Sequence, residues 1–229
     1  MKWDSEKIRY MRDAAERSDY YRQIASVIVP HLKKDAHVCD AGCGLGYLSA
    51  ALAPQVAQVT AVDISAEALA VLESRKIPNV TALCGDAAAL VPESPYDAMI
   101  FCFFGSVQEV LEISRAQCRG SVFIITRGDP VHGFSQKPLE NNRFCFSGFC
   151  EGLRQQGIPF ESGSIDAEFG QPLKSLEDAK RFLALYGGEN VEEGALRKRL
   201  RECTGEFPWY LPRRKRVGWI RFSVNEEMK

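Results

Sequence analysis

The sequence predicts an α/β protein with a doubly wound, mainly parallel sheet. Between His37 and Arg127, β-rich runs alternate with amphipathic runs of helix length, the pattern of parallel strands joined by crossover helices. The first strand-to-helix junction, "AGCGLGY", carries Gly42, Gly44 and Gly46, which suit a turn whose backbone passes close to a ligand. Composition agrees, since 45% hydrophobic and 26% charged residues over 229 positions can fill one sizeable core.

The elements follow in order. Asp4 and Ser5 can cap a first helix, and Ser18 and Asp19 a second. The second carries Tyr21, Ile24, Val27, Ile28 and Leu32 at helical spacing and stops near Pro30. "HVCDA" reads as a buried strand and "YLSAALAPQ" as a helix closed by Pro54. "QVTAVDI" is a second strand, and Ser65 caps the helix "SAEALAVLESRK". "NVTALCG" and "YDAMIFCFF" are strands three and four, "SVQEVLEISRAQC" a helix, and "GSVFIITR" a fifth strand. Beyond Arg127 the pattern loosens. "DPVHGFSQKP" reads as a loop, "FCFSGFCEGLRQQG" as a helix broken by Gly157 and Pro159, and "FESGSIDAEFG" as a sixth strand. Two further helices, "SLEDAKRFLALYGG" and "VEEGALRKRLREC", precede a last strand, "RVGWIRFSV". We therefore expect one domain in four parts: N-terminal helices (1–34), a cofactor-binding core (35–170), a helical substrate cover (171–213) and a final strand (214–229).

Charge and cysteine usage narrow the setting. A net charge of -1 gives no general attraction to nucleic acid or acidic membranes. No apolar run is long enough to span a bilayer, and the charged start lacks the apolar core of a signal peptide. The eight cysteines lack regular spacing, so reduced, mostly buried thiols and a cytoplasmic protein are expected. No metal site is expected.

Glycine turns of this kind hold adenosine-containing cofactors, and the spacing discriminates among them. A dinucleotide turn spaces its glycines G-x-G-x-x-G, but Tyr47 stands where the third would be. No Gly-Lys-Ser or Gly-Lys-Thr follows, which excludes a phosphate-binding loop of the nucleotide triphosphatases.

Taken together, "VCDAGCGLG", "VTAVDIS", "LCGDAAAL" and "YDAMIFCFFG" form an ordered series at the ends of successive expected strands. The series resembles the motifs of class I S-adenosylmethionine-dependent methyltransferases over residues 36–127. The resemblance implies a Rossmann-like sheet of seven strands with the last antiparallel, an N-terminal helical lid, and S-adenosylmethionine as cofactor. It implies that Gly42, Cys43, Gly44 and Gly46 form the cofactor turn and that Asp40 orients the turn and the cofactor's amino group. Asp63, with Ile64 beside it, ends the second strand, where a carboxylate can accept both ribose hydroxyls. Asp86 is expected to take the adenine amino group and the Ala87 N–H a ring nitrogen, while Cys102 and Phe104 line the methionine portion. Each also has a plainer reading: Asp63 as a helix cap, Asp86 as a turn aspartate, Phe101 and Phe103 as core.

The acceptor is less legible. "FCFFG" lacks the Asp/Asn-Pro-Pro-Tyr/Phe run of enzymes resembling base or glutamine amine methyltransferases, and it lacks a Pro-Cys pair. A small-molecule acceptor and in-line methyl transfer are expected, with nucleic acid and membrane not expected as partners. An RNA or protein methyltransferase stays open because "RKRLR" and "PRRKR" could meet phosphates. So does a non-catalytic cofactor-binding module. His132, in the loop after the fifth strand, is the candidate base, with Tyr10 and Tyr20 closing the site from the N-terminal helices. His31 and His37 read as structural. The sequence does not indicate an oligomeric state.

Overall fold

The computed structural model describes residues 3–128, 145–188 and 190–224. Two N-terminal helices, α1 (Ser5–Ala15) and α2 (Tyr20–Ile28), precede strand β1 (His37–Ala41) and α3 (Tyr47–Leu52). There follow β2 (Gln58–Asp63), α4 (Ala66–Glu73), β3 (Val80–Cys84), β4 (Tyr96–Cys102), α5 (Val107–Gln117) and β5 (Cys118–Arg127). Helix α6 (Phe146–Gln155) and β6 (Glu161–Glu168) come next. An insert then carries β7 (Gln171–Leu173), α7 (Leu176–Gly187), α8 (Glu193–Arg199), β8 (Arg201–Glu202) and β9 (Trp209–Leu211) before β10 (Arg214–Ser223).

The main sheet has seven strands in the order β3-β2-β1-β4-β5-β10-β6. The first five are parallel and β10 runs antiparallel to both neighbours, as the resemblance implied. Strands covered on both faces read as continuous apolar runs. In β4, Ala98 and Ile100 face a core shared with Ile24, Ile28, Leu48 and Leu52, while Met99 and Phe101 face Val110, Leu111 and Leu153. The sheet is thus wound on both sides, with α2 and α3 over one face and α5 and α6 over the other. The caps are local. Ser65 accepts from Ala68 N–H, and Ser106 with Glu109 forms a capping box at α5.

The insert corrects one expectation. Residues 171–213 are not simply a helical cover, because β7, β9 and β8 form a three-stranded antiparallel sheet beside α7 and α8. The helix expected to reach Cys203 stops at Arg199, and Trp209 and Tyr210 lie in the central strand. These strands are two and three residues long, too short to show an alternating pattern in sequence. A third apolar cluster, including Leu173, Phe182, Leu183, Leu196 and Leu211, joins the insert to α1 through Tyr10.

Asp178 ties that junction together. It accepts from Arg9 Nη2 at 2.7 Å, Tyr10 Oη at 2.9 Å and Lys174 N–H at 3.0 Å. Burial pushes its carboxyl up, but those three donors outweigh burial and hold it below the usual carboxylate range. The eight cysteines are free thiols. Among the described residues, no helix is long and apolar enough to cross a membrane.

Candidate functional site

The carboxyl ends of β1, β2, β3 and β4 surround a cavity of about 390 Å³. The glycine turn forms its floor. Gly42, Gly44 and Gly46 all have positive φ, at 71°, 54° and 67°. A Cβ on Gly42 would sit 2.5 Å from the Phe104 ring, so the turn and the β4 tip can meet only because that side chain is missing. Phe104 in turn lies parallel to Phe101, with ring centroids 6.3 Å apart.

Asp63 secures the turn. Its Oδ2 accepts from Gly44 N–H at 2.8 Å and its Oδ1 from Ser65 N–H at 2.9 Å. Each carboxylate oxygen keeps further acceptor capacity toward the cavity it lines. Asp86 is exposed, and its Oδ1 accepts from Ala88 N–H at 2.9 Å, an Asx turn that presents the buried Ala87 to the cavity. Ile64 is 73% exposed at the same rim. The plainer reading of Asp86 as a turn aspartate is thus realised, whereas Asp63 is not the helix cap, which is Ser65; both residues line the cavity.

Asp40 is fully buried, and its Oδ2 accepts from Ser49 Oγ at 2.5 Å. Its Oδ1 has no hydrogen-bond partner among the described residues, although it borders the cavity. Burial pushes the Asp40 carboxyl up to about 6, against the Ser49 hydroxyl, which favours the charged form. A buried acceptor left unpaired is costly, which fits a site completed by a ligand's donor. Cys43 and Cys102 also line the cavity, and burial pushes both thiols up, so neither is a ready thiolate. Phe103, beside Cys102, holds φ at 55° while 47% exposed, a local strain of about 1–2 kcal/mol for a side chain of that size.

The N-terminal helices reach the cavity, though not through the tyrosines expected. Tyr10 is buried in the cluster around Phe182 and bonded to Asp178, away from the cavity lining, so it acts as a tether. Tyr20 is also buried, with its ring 4.3 Å from that of Phe169 and its hydroxyl unpartnered among the described residues. Trp3, Met11 and Tyr21 form the wall instead. Tyr21 had signalled only core spacing, and it stacks on Tyr47 at 5.6 Å. Trp3 precedes the first helix and gives no periodic signal. Its indole would lie 3.0 Å from a Cβ on Gly44.

His132 lies outside the described residues. His37 is at the far end of β1, where its Nε2 lies 2.8 Å from Thr60 Oγ1, and His31 is exposed at the surface. Both lie away from the cavity. A larger groove of about 810 Å³ runs between α2 and α3, but it touches neither the glycine turn nor Asp63 or Asp86.

Comparison with known proteins agrees with this arrangement. Residues 38–118 match a family model described as a methyltransferase domain. No curated protein matches the chain. In fold it is similar to the YcgJ protein of Bacillus subtilis, with a TM-score of 0.57 and 13% identity over 89% of this chain and 99% of that one. A precorrin 8w decarboxylase from Methanobacterium thermoautotrophicum gives 0.53 and 20% identity over 90% of each chain. A protein described as a methyltransferase from Bacillus halodurans C-125 gives 0.51 and 17% identity, over 89% of this chain and 96% of that one. The matched residues cover the glycine turn and the strands around the cavity, so residues 38–118 are a methyltransferase domain by likeness to that family model, and the whole chain shares its fold with these structures.

Proposed function

We propose that the protein transfers the methyl group of S-adenosylmethionine to a small-molecule acceptor. The cofactor supplies an electrophilic methyl group on a sulfonium. The chain's task is to bind it, align the acceptor and exclude water. Asp63 would accept the ribose hydroxyls, Asp86 and the Ala87 N–H would meet the adenine, and Gly42, Cys43, Gly44 and Gly46 would pass beneath the chain. The unpaired Asp40 Oδ1 would take the amino group, with Ile64, Cys102 and Phe104 completing the walls.

One observation carries the small-molecule reading. Three of the basic residues that could have tracked a phosphate chain have partners within the fold. Arg197 pairs with Glu193 at 2.9 Å and lies over Trp209, Arg216 pairs with Asp166 at 3.6 Å, and Lys215 turns inward onto Phe169. Fold likeness at these identities leaves the acceptor open, so the test is direct. Incubated with cofactor labelled in the methyl group and a fractionated cell extract, the protein should label the low-molecular-mass fraction. Label found only in RNA or protein would replace this reading, and no labelling despite cofactor binding would favour a non-catalytic module.

A further inference from the structure

Helix α1 meets two separate parts of the molecule. Toward the glycine turn, Trp3 in front of the helix and Met11 within it line the cavity, and the Trp3 indole lies against Gly44. Toward the insert, Arg9 Nη2 and Tyr10 Oη donate to Asp178 at 2.7 and 2.9 Å. Glu6 pairs with Arg181 at 3.9 Å, and the Tyr10 ring meets that of Phe182 with centroids 5.0 Å apart. Gln171 Nε2, from β7, donates to the Tyr10 carbonyl at 3.2 Å.

Both sets of contacts sit on one short, stiff piece of chain. Asp4 caps the helix by accepting from Lys7 N–H at 2.9 Å, so Trp3 stands one residue ahead of a fixed first turn. At the other end, Ala14 and Ala15 are buried in the core shared with α2 and α3. Tyr10 instead belongs to the apolar cluster of the insert. An isolated helix of eleven residues is marginal in water, so the first turns of α1 depend on the surfaces they meet. Those surfaces are the cavity wall and the insert.

A ligand shifts such an element only through contacts that differ between its docked and undocked forms. A molecule seated against Gly44 gains Trp3 and Met11 only while α1 is docked, and the insert gains Glu6, Arg9 and Tyr10 only then as well. Each occupancy favours the other, and the coupling is reciprocal.

We propose that α1 couples cofactor occupancy to docking of the insert. S-adenosylmethionine on the glycine turn holds Trp3 and Met11, and the same helix then seats α7 through Arg9 and Tyr10. This rests on the cofactor lying in that cavity.

Amide hydrogen exchange of the full protein, with and without saturating S-adenosylhomocysteine, tests the coupling. The ligand should slow exchange at the glycine turn and also in α7, no residue of which lines the cavity, by roughly five- to hundredfold. Trp3→Ala should keep the protection at the turn and lose that in α7. Tyr10→Phe keeps the ring on Phe182 and loses the bond to Asp178. Calorimetry should show it binding S-adenosylhomocysteine about fivefold more weakly or worse, although Tyr10 lies outside the cavity lining. Added to Trp3→Ala, it should weaken binding no further, because the path is already cut. Slowed exchange confined to the turn in wild type, or Tyr10→Phe binding as wild type, overturns the proposal and leaves the cofactor site intact. Failure of the wild type to bind S-adenosylhomocysteine would remove the cofactor reading and the proposal together.

Discussion

Around the glycine turn, polar groups find partners within a short stretch of chain: Gly44 and Ser65 N–H on Asp63, Ala88 N–H on Asp86, Ser49 on Asp40. Around Tyr20 and Lys215, the groups come from α2, β4, β6 and β10, and the Tyr20 hydroxyl has no partner among the described residues. The first region is preformed by local geometry. The second is assembled only when α2 packs against β10 and the residue that follows β6. The difference teaches that a cavity-lining turn can be fixed locally while a buried cluster elsewhere in the fold is set by distant segments.

Breaking the docking should produce the largest effect. Asp178→Ala leaves the Arg9 guanidinium and Tyr10 hydroxyl without their acceptor, and removing one partner of a largely buried pair costs about 3–5 kcal/mol. Denaturant unfolding should show that loss, and hydrogen exchange should place the fastest new opening in α1 and α7, with β1 and β4 protected. Equal exposure of both regions would mean that they fold as one unit and that the contrast is false.

A change in the turn tests the other half. Gly42→Ala combines a left-handed backbone with a Cβ placed against the Phe104 ring, for a loss of about 2–4 kcal/mol. Calorimetry should also show S-adenosylhomocysteine binding lost or greatly weakened, while the α1–α7 junction exchanges as in wild type. Unchanged binding would detach the turn from the cofactor.

The smallest effect has the opposite sign. Asp40 has its folded value raised to about 6 by burial, so the unfolded chain ionises first, and stability falls as pH rises from about 4 through 6. Asp40→Asn should therefore stabilise the ligand-free protein by about 1–2 kcal/mol at pH 7, with no gain near pH 4. It should also weaken S-adenosylhomocysteine binding. Asp178 behaves in reverse, since its lowered value contributes stability that is lost as pH falls through it. Urea midpoints of the two variants against pH separate the two carboxylates. A gain at pH 4 equal to that at pH 7 would show that Asp40 titrates normally.

Much of the parallel sheet and the glycine turn could be read from sequence because their causes are local. Strands covered on both faces are apolar without interruption, Ser65 and Ser106 cap the helices that follow them, and a left-handed turn admits glycine at Gly42, Gly44 and Gly46. The alternation placed Asp63 and Asp86 after successive strands, while the cofactor roles of Asp40, Asp63 and Asp86 came from the resemblance. What only the tertiary structure decided was the fate of residues whose partners lie far along the chain. Tyr10 became a tether because Asp178 is 168 positions away. The insert gained a sheet because β8 and β9 pair with neighbours that no short-range pattern announces. Lys215 stood in a basic run that could meet phosphates, yet the two-residue period it shares with Val217 turns it inward onto Tyr20 and Phe169. Local sequence sets backbone conformation and burial pattern, but the environment of a charge depends on which distant surfaces close over it.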